Sequence, residues 1–190
     1  MKIEVKSTFP DVMRQLDRLS DDLAKVVLVR SINRVTEQAR TQMARSITAE
    51  FAIASAKVKE KLQVSKASFK SGRYAVSAEL VSRTRDGRTR SLNVINFAAR
   101  QGKTGVSIKV KRSGGRKTLT HTFIGNKGRT VFERVGKQRL PIKPVQSIDV
   151  PQMFNTRRIN AAVIRAIEER FPGIFKRELA YAITQFQSKP

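Results

Sequence analysis

The sequence predicts an α+β fold: a long N-terminal amphipathic helix, a central antiparallel β-sheet with a basic hairpin, and two C-terminal helices. Three observations carry this expectation. Apolar residues recur at helical spacing from Val12 to Met43, alternate at strand spacing through most of 74–148, and return to helical spacing after Thr156. The 190 residues fit a single domain 1–190. Within it, 1–50 forms a strand and helix arm, 51–150 a basic β-rich core, and 151–190 the closing helices.

In chain order, Lys2 to Lys6 alternates and predicts a short strand. Pro10 suits a first helical turn. Val12, Leu16, Leu19, Leu23, Val26, Val27, Ile32, Val35, Ala39 and Met43 then predict a helix over about 10–46, with a break admitted near Ser20-Asp21-Asp22. Ser55 is expected to cap a short helix ending at Leu62. Tyr74, Val76, Ala78 and Leu80 alternate, as do Val106, Ile108 and Val110, then Leu119, His121 and Phe123. "KVKRSGGRKTLTHTF" (109–123) reads as a hairpin turning at Gly114-Gly115. "RTVFERV" and "LPIKPVQSIDV" read as a second pair around Gly136-Lys137-Gln138. Pro141 and Pro144 cannot donate to a ladder, so the last strand belongs at a sheet edge or is irregular. The segment 81–93 reads as a basic loop at the tip of a long hairpin. Asn155 or Thr156 is expected to cap a helix that ends at Phe171-Pro172-Gly173, with a second helix carrying Phe175, Leu179, Ala182, Ile183 and Phe186.

Charge is the strongest bulk signal. Lys and Arg number 39 against 15 Asp and Glu, for a net +24, and residues 51–150 hold +18 of it. Such a field attracts polyanions or acidic partner surfaces without reading sequence. Arg83, Arg85, Arg88, Arg90, Lys109, Lys111, Arg112, Arg116 and Lys117 are the candidate contacts for DNA or an acidic partner. No window of about 18 apolar residues suggests a membrane helix, and the N-terminus lacks the apolar core of a signal peptide.

Chemistry is scarcely represented. With no cysteine and one histidine, thiol nucleophiles, disulfides and Cys/His metal sites are excluded. His121, in phase with Leu119 and Phe123, reads as a structural strand residue rather than a base. Gly102-Lys103-Thr104 has Phe97 where a phosphate-binding loop needs its first glycine. Glu60, Glu79, Asp86, Glu133 and Asp149 show no spacing that pairs carboxylates. The reading is therefore of a non-enzyme without cofactor or metal. Aromatics at 6% do not support base stacking as a design.

Several ordered motifs carry a resemblance. They are "SINRVTEQARTQMA" (31–44), "KVKEKL" (57–62), "FIGNKGRTVFERVGKQRLPIKPVQSIDVPQMF" (123–154) and "RELAYAI" (177–183). Together they resemble the minor tail protein Z family of lambda-like bacteriophages, the tail completion proteins. The resemblance implies a structural protein at the head-proximal end of the tail, acting in tail maturation and head–tail joining near the DNA end. It implies partners among the tail terminator and other tail or neck proteins, with the tape measure protein and the DNA end as further candidates. It also implies homo-oligomers in the virion and a monomer in the host cytoplasm beforehand. Asn33, Arg34, Phe132, Glu133, Arg134, Leu140 and Pro141 are then interfacial or structural. The competing reading, from charge alone, is a sequence-independent nucleic-acid-binding protein.

Overall fold

The computed structural model describes residues 10–17, 19–69, 76–82, 91–136 and 138–187. The expected strand at Lys2–Lys6 lies outside them. The elements are α1 (Pro10–Leu16), α2 (Asp21–Glu50), α3 (Ser55–Lys61), β1 (Leu62–Phe69), β2 (Val76–Ser82), a 3-10 turn (Val94–Asn96), β3 (Arg100–Gln101), β4 (Gly105–Ile108), β5 (Lys117–Thr120), β6 (Thr122–Gly125), β7 (Thr130–Arg134), β8 (Ile142–Pro144), α4 (Val150–Phe154) and α5 (Arg157–Gln187). The fold is α+β, with its strands in three small antiparallel sheets ordered β1-β2, β3-β4-β5 and β6-β7-β8. The chain forms two compact units, and the division falls inside α2.

The first unit comprises 1–43, 62–82 and 157–190. Its core joins Val12 of α1 and Ala24, Val27, Leu28 and Val35 of α2 to Phe171, Ile174, Phe175 and Ala182 of α5. Arg30 meets Tyr181, Arg34 meets Glu178, and Val35 and Ala39 face Ala166 and Ile167, so the two helices run antiparallel. Of the apolar stripe read from the sequence, Val12, Leu19, Leu23, Val27, Ile32 and Val35 lie in or against this core, while Val26 stands half in solvent. The break near Ser20 is real: α2 starts at Asp21, with Asp21 and Asp22 in its first turn, where carboxylates favour the positive end of the helix dipole. Two C-terminal helices are present, but they divide at Asn155–Thr156. The stop expected at Phe171–Gly173 is absent, because α5 runs through Pro172. Pro172 gives up one helical hydrogen bond, and the flanking Phe171, Ile174 and Phe175 are buried enough to hold the helix there.

β1 carries no clear alternation and was not legible as a strand. It pairs with β2 from Leu62↔Ser82 to Phe69↔Val76. Between Ser65 and Ser68, two residues of β1 (Lys66 and Ala67) oppose one of β2 (Ala78), a bulge. The basic loop expected over 81–93 lies, for residues 83–90, outside the described residues.

The second unit comprises 44–61 and 83–156. Val94, Val106, Ile108 and Val131 form its sheet core, with Leu119, Ile124 and Val145 against them. A hairpin carrying Gly114-Gly115 in its connection is present, but its paired arms are β4 and β5, with Ile108 opposite Lys117 and residues 109–116 joining them rather than forming the first arm. The continuous strand through His121 is not. His121 takes a left-handed φ of 57° and is exposed, so it separates β5 from β6 and resets the alternation. Gly105 is required where it stands: a Cβ there would lie 1.9 Å from the Leu119 carbonyl oxygen. β8 is an edge strand, as its prolines predict. Ser55 is the first residue of α3 rather than its cap, and Leu62 already belongs to β1.

Candidate interaction surface

No catalytic or metal centre takes shape among the described residues. They hold no group of three His, Asp or Glu able to bind a metal. Asp149, one of the carboxylates weighed for a cation site, is buried and caps α4. Its side chain accepts from the Gln152 N–H at 2.8 Å while Gln152 returns a bond to the Asp149 N–H. Glu133 pairs with Lys143 at 3.2 Å, and Glu60 with Lys57 at 3.3 Å. Gly102-Lys103-Thr104 forms the β3–β4 turn, closed by the Gly102 N–H on the Gly105 carbonyl. No helix among the described residues is long and apolar enough to cross a membrane.

What the second unit does present is positive charge. It holds 21 Lys and Arg against 5 Asp and Glu. The structure sorts the candidate cations into two groups. Arg112 and Arg116 hold the fold. Arg112 sits at the C-terminus of α2, where its N–H donates to the Glu50 carbonyl and its Nε to the Thr48 carbonyl at 2.5 Å. These are among the last helical carbonyls, which lack partners and carry the negative end of the dipole. Arg116 donates to the Ala98 carbonyl at 2.6 Å and the Ser107 carbonyl at 2.9 Å, clamping the 97–98 turn onto β4. Lys109, Lys111 and Lys117 form the other group: their ammonium groups make no hydrogen bond or ion pair among the described residues, and Lys111 and Lys117 are exposed. Arg83, Arg85, Arg88 and Arg90 lie outside the described residues.

The candidate structural residues fall at two places. In the first unit, the Asn33 carboxamide faces the β1 bulge. Its Oδ1 accepts from the Ala67 N–H at 2.6 Å and its Nδ2 donates to the Ala67 carbonyl at 3.5 Å, so it replaces the strand neighbour that the bulge removes. Arg34, 61% exposed along its side chain, reaches Glu178, whose side chain is 9% exposed. In the second unit, Phe132 stacks obliquely on Phe123 with centroids 5.9 Å apart. The Arg134 guanidinium lies 4.8 Å from the Phe123 ring centre and donates to the Arg139 carbonyl. Leu140 and Pro141 follow at the exposed hairpin end, joined by a cis peptide bond.

Two residues that matter were not singled out from the sequence. Asn93 caps the 3-10 turn through the Ile95 N–H and also exchanges hydrogen bonds with the N–H and carbonyl of Val131 on β7. Its signal was slight: a short polar side chain directly before Val94-Ile95. Glu178 had a clearer one, a carboxylate on the apolar stripe Phe171, Phe175, Ala182. A charge at such a position demands a partner, and Arg34 supplies it.

The family model described as prophage minor tail protein Z (GPZ) matches residues 9–189. No curated protein and no solved structure matches the chain.

Proposed function

The chain belongs to the prophage minor tail protein Z family, and from that premise we propose that it completes the head-proximal end of the phage tail and makes it competent to join a filled head. As a phage minor tail protein it is a structural part of the virion and works against other tail or virion proteins. The finer placement beside the DNA end is supported chiefly by one observation: the concentration of positive charge in the second unit, where Lys109, Lys111 and Lys117 are left without partners among the described residues. Ammonium groups held this way can neutralise phosphates by counterion release without reading bases.

The test uses tails assembled in cells that lack this chain. Such tails are expected not to join filled heads, and added purified protein is expected to restore joined particles, counted by electron microscopy. Gold-labelled protein should mark the head-proximal end. Label at the distal tip, or full joining in the chain's absence, would overturn the placement. Reversing the charge of Arg83, Arg85, Arg88 and Arg90 is expected to spare folding and block joining; normal yield of infectious particles would remove these four residues from the contact set. Tight duplex binding by the isolated chain, without assembly onto tails, would favour a general nucleic-acid-binding role instead.

A further inference from the structure

Single exposed apolar side chains are ordinary on a protein surface, but clusters are not. Val135, Leu140 and Ile142 are 48, 63 and 37% exposed and lie at one end of the β7–β8 hairpin. Pairing of Arg134 with Ile142 and a bond from the Val135 N–H to the Pro141 carbonyl bring them together. Cations frame the cluster. Arg134 crosses the hairpin to the Arg139 carbonyl, Lys143 pairs with Glu133, and the Arg139 guanidinium has no partner among the described residues. Glu133 is the one acid between Phe123 and Lys143.

The backbone narrows the mode of docking. Pro141, Lys143 and Val145 bond inward to Val135, Glu133 and Val131, so Ile142 and Pro144 turn their polar groups outward. Pro144 has no N–H, and this edge cannot extend a strand ladder beyond Ile142. With at most Ile142 offering a full backbone pair, an occupant must rely chiefly on side chains.

We propose that this hairpin end docks an acidic segment of a neighbouring tail protein, with an apolar side chain seated on Val135, Leu140 and Ile142 and carboxylates facing Arg134 and Arg139. The identity of the partner as a tail protein rests on the proposed function above; its chemistry rests on the surface. Duplex DNA fits less well, since a phosphate backbone gains nothing from an exposed Leu140. A second copy also fits poorly. The chain carries +24, and among the described residues the other large apolar side chains that are exposed are Val26 of α2 and Tyr181, Ile183 and Phe186 of α5, where a cation, Arg30, already lies over the Tyr181 ring.

The experiment compares the full chain with two variants, Leu140→Ser combined with Ile142→Ser, and Arg139→Glu. All three positions are exposed, so unchanged circular dichroism and melting are expected. The probes are tails purified from a phage lacking this chain and a short mixed-sequence DNA duplex. The double serine variant should bind tails about tenfold more weakly while its duplex affinity stays within about twofold. Arg139→Glu should slow association with tails. Unchanged tail binding by both variants, or a parallel loss on DNA, would overturn the proposal. So would a concentration-dependent dimer of the native chain that the serine variant abolishes, which would make the occupant a second copy. Gold label at the distal tip with the expected serine effect would sink the head-proximal placement and leave the docking surface standing. Head-proximal binding that both variants retain would do the reverse.

Discussion

Asn33 and Arg34 are neighbours on α2, yet each answers a different deficit in the first unit. Asn33 repairs a backbone problem. The extra residue in β1 leaves the N–H and carbonyl of Ala67 outside the ladder, and one carboxamide, with a donor and an acceptor, meets both. Arg34 answers a buried carboxylate. Glu178 is held at the helix seam, and leaving it unpaired there would cost more than the ion pair itself contributes. Asn33→Ala is therefore expected to destabilise the protein by about 1–3 kcal/mol, the cost of leaving buried polar groups unpaired. Amide exchange at Ala67 should accelerate well beyond that of its strand neighbours. Equal protection at Ala67 in the variant would mean that water replaces the side chain without penalty.

At the scale of elements, the termination of α2 is the most instructive case. Its last turn contains no Lys, Arg or His, so nothing local balances the dipole. Arg112, more than sixty residues further along, does so from the loop after β4. This separates two cations that look alike in sequence. Arg112→Ala is expected to cost about 1–2 kcal/mol by urea denaturation, from a lost charged hydrogen bond at a helix C-terminus. Lys111→Ala, one residue earlier and exposed, should stay within about 0.5 kcal/mol of the native protein. Equal effects would contradict the division into fold-holding and free cations. α5 teaches the complementary lesson. Local propensity ends a helix at Phe171-Pro172-Gly173, but burial of Phe171, Ile174 and Phe175 against α2 outweighs one lost hydrogen bond and one glycine.

For the molecule as a whole, charge is the dominant physical fact, and it is unequally shared. The first unit carries 18 basic and 10 acidic residues, the second 21 and 5. Non-specific binding to duplex DNA should therefore depend steeply on salt. Replacing Lys109, Lys111 and Lys117 with Gln should lower the slope of log K against log salt by about 2–3, near 0.9 for each phosphate that is no longer neutralised. A slope left unchanged would show that these lysines meet no phosphate. Affinity should fall alike on all sequences, because interactions with the backbone carry no base readout.

Much of this protein was determined by sequence alone. The α+β class, the seam of α2, the break before Asp21, both glycine- and proline-marked hairpins and the edge position of β8 all follow from local rules, since periodicity and turn chemistry act over a few residues. The ordered motifs along the chain likewise pointed to the family. Tertiary structure decided what depends on distant partners. It carried α5 through Pro172, split the strand at His121 and made a strand of 62–69. It also set Arg112 and Arg116 to holding the fold while leaving Lys109, Lys111 and Lys117 free of partners among the described residues. The reason is physical: a cation's role, or a proline's tolerance, is fixed by which carbonyl, carboxylate or apolar surface folding brings against it, and those groups lie tens of residues away.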